Sequence, residues 1–310
     1  VVAVCGCWAQ GAAADEAREL GADILVGNRR KGELTDALEA MVRDGRAFRD
    51  LRSDLLRDRR WEELPAMRPV FHTRAFLKVQ EGCDHFCSYC VIPFLRGRSV
   101  SRPADRTMDE ARRLLDAGCR EIVLTGIHLG VYGRDMGSSL AELVRALSAL
   151  PGLERLRLGS LEPFALSDDL LEALGESPVF CPHLHLPLQS GDDGVLSRMR
   201  RGYTADDFAR ICGRARERLG EDLHISSDVL VGFPGEDESA FGNTLRLMRR
   251  AGIGRAHVFP YSPRRGTPAA SFEGRVSPAA LSARAAEAAA LGNELLDAYA
   301  ARFVGRTLPV

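Results

Sequence analysis

Three cysteines, Cys83, Cys87 and Cys90, fall within eight residues, in the run Glu81-Gly82-Cys83-Asp84-His85-Phe86-Cys87-Ser88-Tyr89-Cys90. Thiolates are soft ligands. Spaced by three and then two residues on a tight loop, they can bring three sulfurs onto one iron–sulfur cube. A fully ligated cube needs a fourth thiolate, and none is offered nearby, so one iron keeps an open position that can hold a small chelating ligand. A structural zinc site is the alternative. It wants four ligands, and His85 could supply one, although the pairing matches no usual Cys/His spacing. Cys5 and Cys7 are similarly crowded, and such crowding suits a metal or cluster site in a reducing compartment better than a disulfide framework. A cytoplasmic location is the expectation.

The elements that must position these residues follow from the pattern along the chain. The 310 residues are 45% hydrophobic and 27% charged, ordinary values that exclude disorder and supply real cores. Lys and Arg number 42 against 43 Asp and Glu, so bulk charge announces neither nucleic acid nor an anionic membrane, and no apolar run is long enough to span a bilayer. Val1–Val4, Asp15–Leu20, Asp23–Val26 and Glu33–Val42 read as strand, helix, strand, helix, half of an α/β layer with its partner strands missing. Residues 43–60 mix Arg and Asp and read as a solvated helix face or linker.

From Arg74 the pattern becomes regular. Phe76–Val79, Glu121–Thr125, Arg155–Gly159, His183–Leu188, His224–Val231 and His257–Tyr261 read as strands, the first five each followed by a helical segment. Thr107–Glu110, Ser139–Glu142 and Thr204–Asp207 read as capping boxes, Gly118, Gly220 and Gly252 as helix stops, and Pro278 behind Ser277 as the start of a last helix, Ala279–Ala301. Strands alternating with helices pair in parallel, and right-handed crossovers curl such a sheet into a full or partial barrel with its chemistry at the C-terminal strand ends.

Cys83-x3-Cys87-x2-Cys90 after the first of these strands resembles the signature of radical S-adenosylmethionine enzymes. Further words narrow the resemblance to the methylthiotransferases: Gly82 to Pro93, Arg96-Gly97-Arg98-Ser99, Thr125-Gly126 with Gly130-Val131-Tyr132-Gly133, Pro187-Leu188-Gln189-Ser190-Gly191, Met199 to Thr204, and Asp228 to Glu236. Gly126 to Asp135 and Leu158 to Pro163 look most like the enzymes acting on threonylcarbamoyladenosine beside the tRNA anticodon. The isopentenyladenosine and ribosomal-protein branches usually carry other words at those two places. The resemblance implies a partial (β/α)6 TIM-like barrel preceded by a remnant of an α/β flavodoxin-like domain. Residues 1–70 then close the N-terminal domain, 71–275 form the radical domain, and 276–310 hold a connecting helix and the start of an RNA-binding β-domain.

The resemblance also implies the chemistry. A [4Fe-4S] cluster on Cys83, Cys87 and Cys90 holds S-adenosylmethionine at its open iron, and reduction gives a 5′-deoxyadenosyl radical. An auxiliary [4Fe-4S] cluster supplies sulfur, and a methylthio group is installed at C2 of the adenine. The tRNA anticodon loop and an electron donor such as flavodoxin or ferredoxin are the implied partners, with no membrane. Gly6-Cys7-Trp8-Ala9-Gln10 matches the word around the third auxiliary ligand, Cys7, while the segment bearing the other two would lie upstream of Val1. Both ends therefore read as cut, and Phe303–Val310 as the opening of another strand. A radical enzyme of different product, or a non-catalytic zinc or electron-transfer module, are the alternatives.

The remaining candidates sit at strand ends. Thr125 and Gly126 stand where the resembled family pairs backbone with the methionine amino group, or they form an ordinary strand-to-loop turn. Ser160 and Glu162 could bond the ribose hydroxyls or lie on a solvent-facing loop, Gln189 and Ser190 would face the same mouth, and Asp228, within the fifth strand, is a further candidate cofactor contact. Gly232-Phe233-Pro234-Gly235 could cradle adenine or simply turn. His128, His183 and His185 read as structural groups, and Cys119, Cys181 and Cys212 as small packed residues. Arg96, Arg98, Arg102 and Arg106, with Arg198, Arg200 and Arg201, form two clusters that could meet RNA phosphates or lie solvated.

Overall fold

The computed structural model describes residues 1–45, 47–64 and 73–308. The first elements are β1 (Ala3–Cys5), α1 (Cys7–Gly11), α2 (Ala14–Glu19), β2 (Ile24–Val26), α3 (Leu34–Asp44) and β3 (Arg49–Leu51). The three strands form a parallel sheet in the order β1-β2-β3. The third strand corrects the reading of residues 43–60 as helix face or linker. A three-residue edge strand needs no apolar run of its own, because β2, fully buried, supplies the apolar centre. The expected domain boundary at 70/71 lies outside the described residues.

The rest of the chain runs β4 (Arg74–Lys78), β5 (Gln80–Glu81), α4 (Ile92–Arg96), β6 (Val100–Ser101), α5 (Ala104–Asp116), β7 (Glu121–Thr125), α6 (Leu140–Ser148), β8 (Arg155–Leu158) and α7 (Asp168–Glu176). It continues through β9 (His183–His185), α8 (Asp193–Met199), α9 (Ala205–Leu219), β10 (His224–Val231), α10 (Glu238–Arg250), β11 (Arg255–Pro260) and α11 (Pro278–Ala301). All six strands expected in this region are present. They pair in parallel as β4-β7-β8 and β9-β10-β11, and single parallel bridges, Leu156 to Phe180 and Ser160 to His185, join the two groups.

Alternation along the strands decides which side holds the core. Leu77, Ile122, Leu124, Leu156, Leu158, Leu184, Ile225 and Val229 are buried in one cluster with helix residues such as Leu115, Val144, Leu174, Phe208 and Met248. Many of the alternate positions are polar, with Phe76, Val123, Leu230 and Phe259 as apolar exceptions. At the N-terminal ends of three adjacent strands, Glu121 receives Arg155 at 3.0 Å and Arg157 at 2.7 Å and faces Arg74 at 3.7 Å. Burial would raise the Glu121 carboxyl, but the bonds from Arg157 and Arg155 outweigh it and hold it below the usual range.

Ser139 and Thr204 cap their helices, and Thr204 forms the full box with Asp207. Thr107 does not. Helix α5 begins three residues earlier behind Pro103, whose fixed φ suits a helix entry, and the Thr107 hydroxyl bonds back to the Pro103 carbonyl at 3.0 Å. Residues 302–308 form turns and coil rather than the opening of a strand. No helix among the described residues is long and apolar enough to cross a membrane.

On the polar positions of β9 and β10, His183 Nε2 and His185 Nδ1 both meet the Ser226 hydroxyl, at 2.8 and 2.9 Å. Burial, with His224 and His185 beside it, pushes His183 down to about 4. Its unfolded value lies near 6.5, so the native state binds fewer protons between the two, and stability is lost as pH falls from about 6.5 toward 4. His183→Gln is expected to flatten that loss, by roughly 1–2 kcal/mol between pH 7 and 5. Thermal melts at the two pH values check this, and equal slopes in both proteins would contradict it.

Candidate cluster-binding site

Strands β5 and β6 pair antiparallel, Gln80 with Ser101 and Glu81 with Val100, so the cysteine loop leaves and returns through one short ribbon. Inside it, the Cys83 amide donates to the Gly97 carbonyl at 3.0 Å and the Cys90 amide to the Cys87 carbonyl at 3.1 Å. Gly82, at φ +74°, makes the entry turn. Glu81 is buried and paired with Lys78 and with Arg96.

A second segment grips the loop from the far side of the chain. The Ser88 amide and hydroxyl donate to the carbonyls of Met199 (3.0 Å) and Arg198 (2.7 Å), and the His85 ring meets the Arg200 carbonyl at 2.8 Å. Arg200 lies in the left-handed region, φ 61°, and turns the chain so that Arg201 points inward. Arg201 is 1% exposed, so it cannot meet RNA phosphates. It pairs with Glu162 and donates to Cys87 Sγ at 3.2 Å. Of the first arginine cluster, Arg102 is likewise buried against Glu63, Arg96 pairs with Glu81 and Arg98 with Asp84, while Arg106 is exposed.

The three thiols differ in their surroundings. Cys87 is buried and Cys83 and Cys90 are half-buried. Burial pushes the Cys83 thiol up to about 12 and raises Cys90 as well. Burial also works to raise Cys87, but His85 and the Arg201 guanidinium outweigh it and hold it below its ordinary value. Among the described residues, no three His, Cys, Asp or Glu side chains are arranged to hold a single metal ion. The donor set does fit an iron–sulfur cube: three soft sulfurs on one loop, with a cation aimed at one of them. Cys83, Cys87 and Cys90 would hold it.

The other expected site residues are placed as follows. Thr125 ends β7, and Gly126 follows it, where a Cβ would lie 2.9 Å from the Gln80 side chain. Ser160 is exposed beyond β8, and Glu162 is half-buried against Arg201. Gln189 sits at φ 64°, rare for a residue with a side chain, and its backbone bridges Asp228 and Leu230. Ser190 does not face the mouth. It is fully buried, with its hydroxyl 3.4 Å from that of Thr244. The Asp228 carboxylate lies 3.3 Å from His185 Nε2. At Gly232 the amide donates to Glu236 Oε1 at 2.9 Å, closing a turn.

Cys7 opens α1, and its sulfur accepts from Asn28 Nδ2 at 3.6 Å, while the same Nδ2 donates to the Leu95 carbonyl at 2.6 Å. Cys7, Trp8, Val91, Leu95 and Arg265 line one cleft, so Cys7 faces the segment just past Cys90. Cys119 and Cys212 are packed as expected, and Cys181 is half-buried.

Sequence reasoning missed Gln80. This fully buried amide donates to the Glu81 and Gly82 carbonyls and to Ser99 Oγ, and accepts from the His128 amide at 2.7 Å. One side chain thus ties the cysteine loop to the loop after β7. Its only signal was a polar residue where an apolar strand end would serve. His128 proves to be a neighbour of the site: its ring is buried, 3.7 Å from Cys83 Sγ and edge-on to Phe164.

Residues 77–248 match the radical SAM superfamily. The threonylcarbamoyladenosine tRNA methylthiotransferase MtaB of Bacillus subtilis (strain 168) is 38% identical over 312 residues, all of this chain and 69% of that protein. A tRNA-2-methylthio-N(6)-dimethylallyladenosine synthase of Jannaschia sp. (strain CCS1) is 41% identical over 313 residues, all of this chain and 67% of that protein. Among solved structures, the radical S-adenosylmethionine methyltransferase TsrM of Kitasatospora setae shares the fold. It has a TM-score of 0.69 and 18% identity over 87% of this chain and 57% of that one. The cysteine loop, its buried grip and these relatives agree: the chain belongs to the radical S-adenosylmethionine superfamily and, within it, to the tRNA methylthiotransferase enzymes.

Proposed function

We propose that this chain is the radical domain, with part of the preceding domain, of an enzyme that adds a methylthio group to C2 of N6-threonylcarbamoyladenosine beside the tRNA anticodon. The observation that carries the choice of nucleoside is a cleft of about 390 Å³ next to the cysteine loop, lined by Arg59, His85, His128, Arg134, Asp135 and Phe164 among others. The Arg59 and Arg134 guanidinium groups, set beside the Asp84 and Asp135 carboxylates, and the exposed face of Phe164 support an adenine whose N6 substituent ends in a carboxylate. The relatives named for dimethylallyladenosine support a second reading, in which that nucleoside is the substrate.

When bound, the cluster and S-adenosylmethionine would supply radical chemistry able to act on an unreactive carbon. The chain's own part is to bind and orient. Cys83, Cys87 and Cys90 hold the iron; Thr125, Gly126, Ser160, Glu162, Gln189 and Asp228 are the proposed contacts of S-adenosylmethionine. Cys7 is the proposed ligand of an auxiliary cluster. The six parallel strands are read as an open (β/α)6 barrel, and the β1-β2-β3 sheet as a flavodoxin-like remnant. Residues 1–70, 71–275 and 276–310 are the proposed units, the last leading into an RNA-binding β-domain. A flavodoxin or ferredoxin is the proposed electron donor, in the cytoplasm.

Anaerobic reconstitution with iron and sulfide tests this. About four irons per chain are expected, with 5′-deoxyadenosine formed on reduction. An anticodon stem-loop carrying threonylcarbamoyladenosine is expected to bind at least tenfold tighter than one carrying dimethylallyladenosine. The reverse preference would favour the second reading, and tightly held zinc without iron would sink both.

A further inference from the structure

Arg201 is the largest of the fully buried side chains among the described residues, and the cysteine motif alone does not call for it. Burying a guanidinium is costly unless every donor is met. Here Nε donates to the Tyr203 hydroxyl at 3.2 Å, Nη2 pairs with Glu162, and Nη1 is shared among Cys87 Sγ (3.2 Å), Glu162 Oε1 (3.3 Å) and the Tyr89 hydroxyl (3.5 Å). Tyr203 lies under the guanidinium, 5.4 Å from ring centre to Cζ, and its hydroxyl donates to the Pro187 and Leu188 carbonyls. The charge is therefore held in a fixed direction. Of the three cluster thiols, Cys87 alone receives a guanidinium hydrogen bond among the described residues.

We propose that Arg201 is a positioning residue that sets the reduction potential of the cluster held by Cys83, Cys87 and Cys90, by donating to the Cys87 sulfur, with Glu162 as its counterweight. This rests on the reading of those cysteines as cluster ligands. Reduction adds negative charge to the cluster. A hydrogen bond and a positive charge at a ligand sulfur favour the reduced form and raise the potential. The Glu162 carboxylate works the other way, by its own charge and by competing for Nη1. The two side chains form one ion pair, yet they must move the potential in opposite directions when neutralised.

The test is a mediator-poised redox titration of the reconstituted chain, followed by the electron paramagnetic resonance of the reduced cluster, without S-adenosylmethionine. For Arg201→Gln, the ratio of reduced to oxidised cluster at a fixed potential is expected to fall about tenfold, a downward shift of about 59 mV for one electron. Arg201→Lys should fall between that variant and the parent. For Glu162→Gln the ratio is expected to rise. At full iron content, an unmoved midpoint in both Gln variants, or shifts of the same sign, would overturn the inference. If Arg201→Gln fails to fold or to hold iron, Glu162→Gln decides: no rise in its ratio overturns the proposal. A parent chain that takes up no iron overturns the cluster reading itself, which iron counting separates from an unmoved midpoint.

Discussion

Cys87→Ala is expected to bring 5′-deoxyadenosine formation to background while the parallel sheet stays folded. The two halves of that expectation have separate grounds. Cys87 lies in the loop between β5 and α4, and its thiol meets the loop's own His85 and the Arg201 guanidinium, not a strand. Losing a small buried thiol costs about 1 kcal/mol of packing, well inside the margin of a folded domain. Two sulfurs, however, cannot hold a cube that keeps one iron open. Arg201 retains Glu162 and the Tyr203 hydroxyl, so the variant leaves no unpaired buried charge. Circular dichroism and a product assay on the same reconstituted sample decide it, and retained product would remove Cys87 from the ligand set.

Gly82→Ala should be nearly as damaging without touching a ligand. Gly82 adopts φ +74°, where a side chain costs about 1–2 kcal/mol by backbone strain alone. Its Cβ would also meet backbone, lying 2.6 Å from the Gly97 carbonyl oxygen. That carbonyl accepts the Cys83 amide, so the backbone cannot retreat without releasing the loop that carries the first cysteine. We expect a loss of roughly 3 kcal/mol, a fall in Tm of roughly 6–12 °C, and iron content well below the parent's. A variant with the parent's Tm and full iron would contradict the argument.

The regular part of the molecule was legible because its signals are local. The Glu121–Thr125 and His224–Val231 strands stand where their apolar runs placed them, and Ser139 and Thr204 cap the helices they precede. The cysteine motif could be read for the same reason, since the spacing of three cysteines within eight residues needs no tertiary information. What was misread depends on distant partners. Strand β3 exists because β2 offers an edge, not because Arg49-Asp50-Leu51 favours extension. Arg201 reads as a surface arginine until Glu162, 39 residues away, and Cys87, 114 away, come to meet it. Gln80 likewise acquires its role only when Ser99 and His128 close around its amide.

The ion cluster around Glu121 has a consequence at the opposite end of the sheet. Side chains alternate along a strand, so sliding β4 or β8 by one residue against β7 would set Ala75 or Leu156 opposite Glu121 and turn their arginines away. One buried carboxylate at the floor thus acts as a surveyor's benchmark, fixing the heights at which Lys78, Thr125 and Leu158 end. The level of the rim, where the cysteine loop and the strand-end loops are proposed to meet one small molecule together, is measured from below.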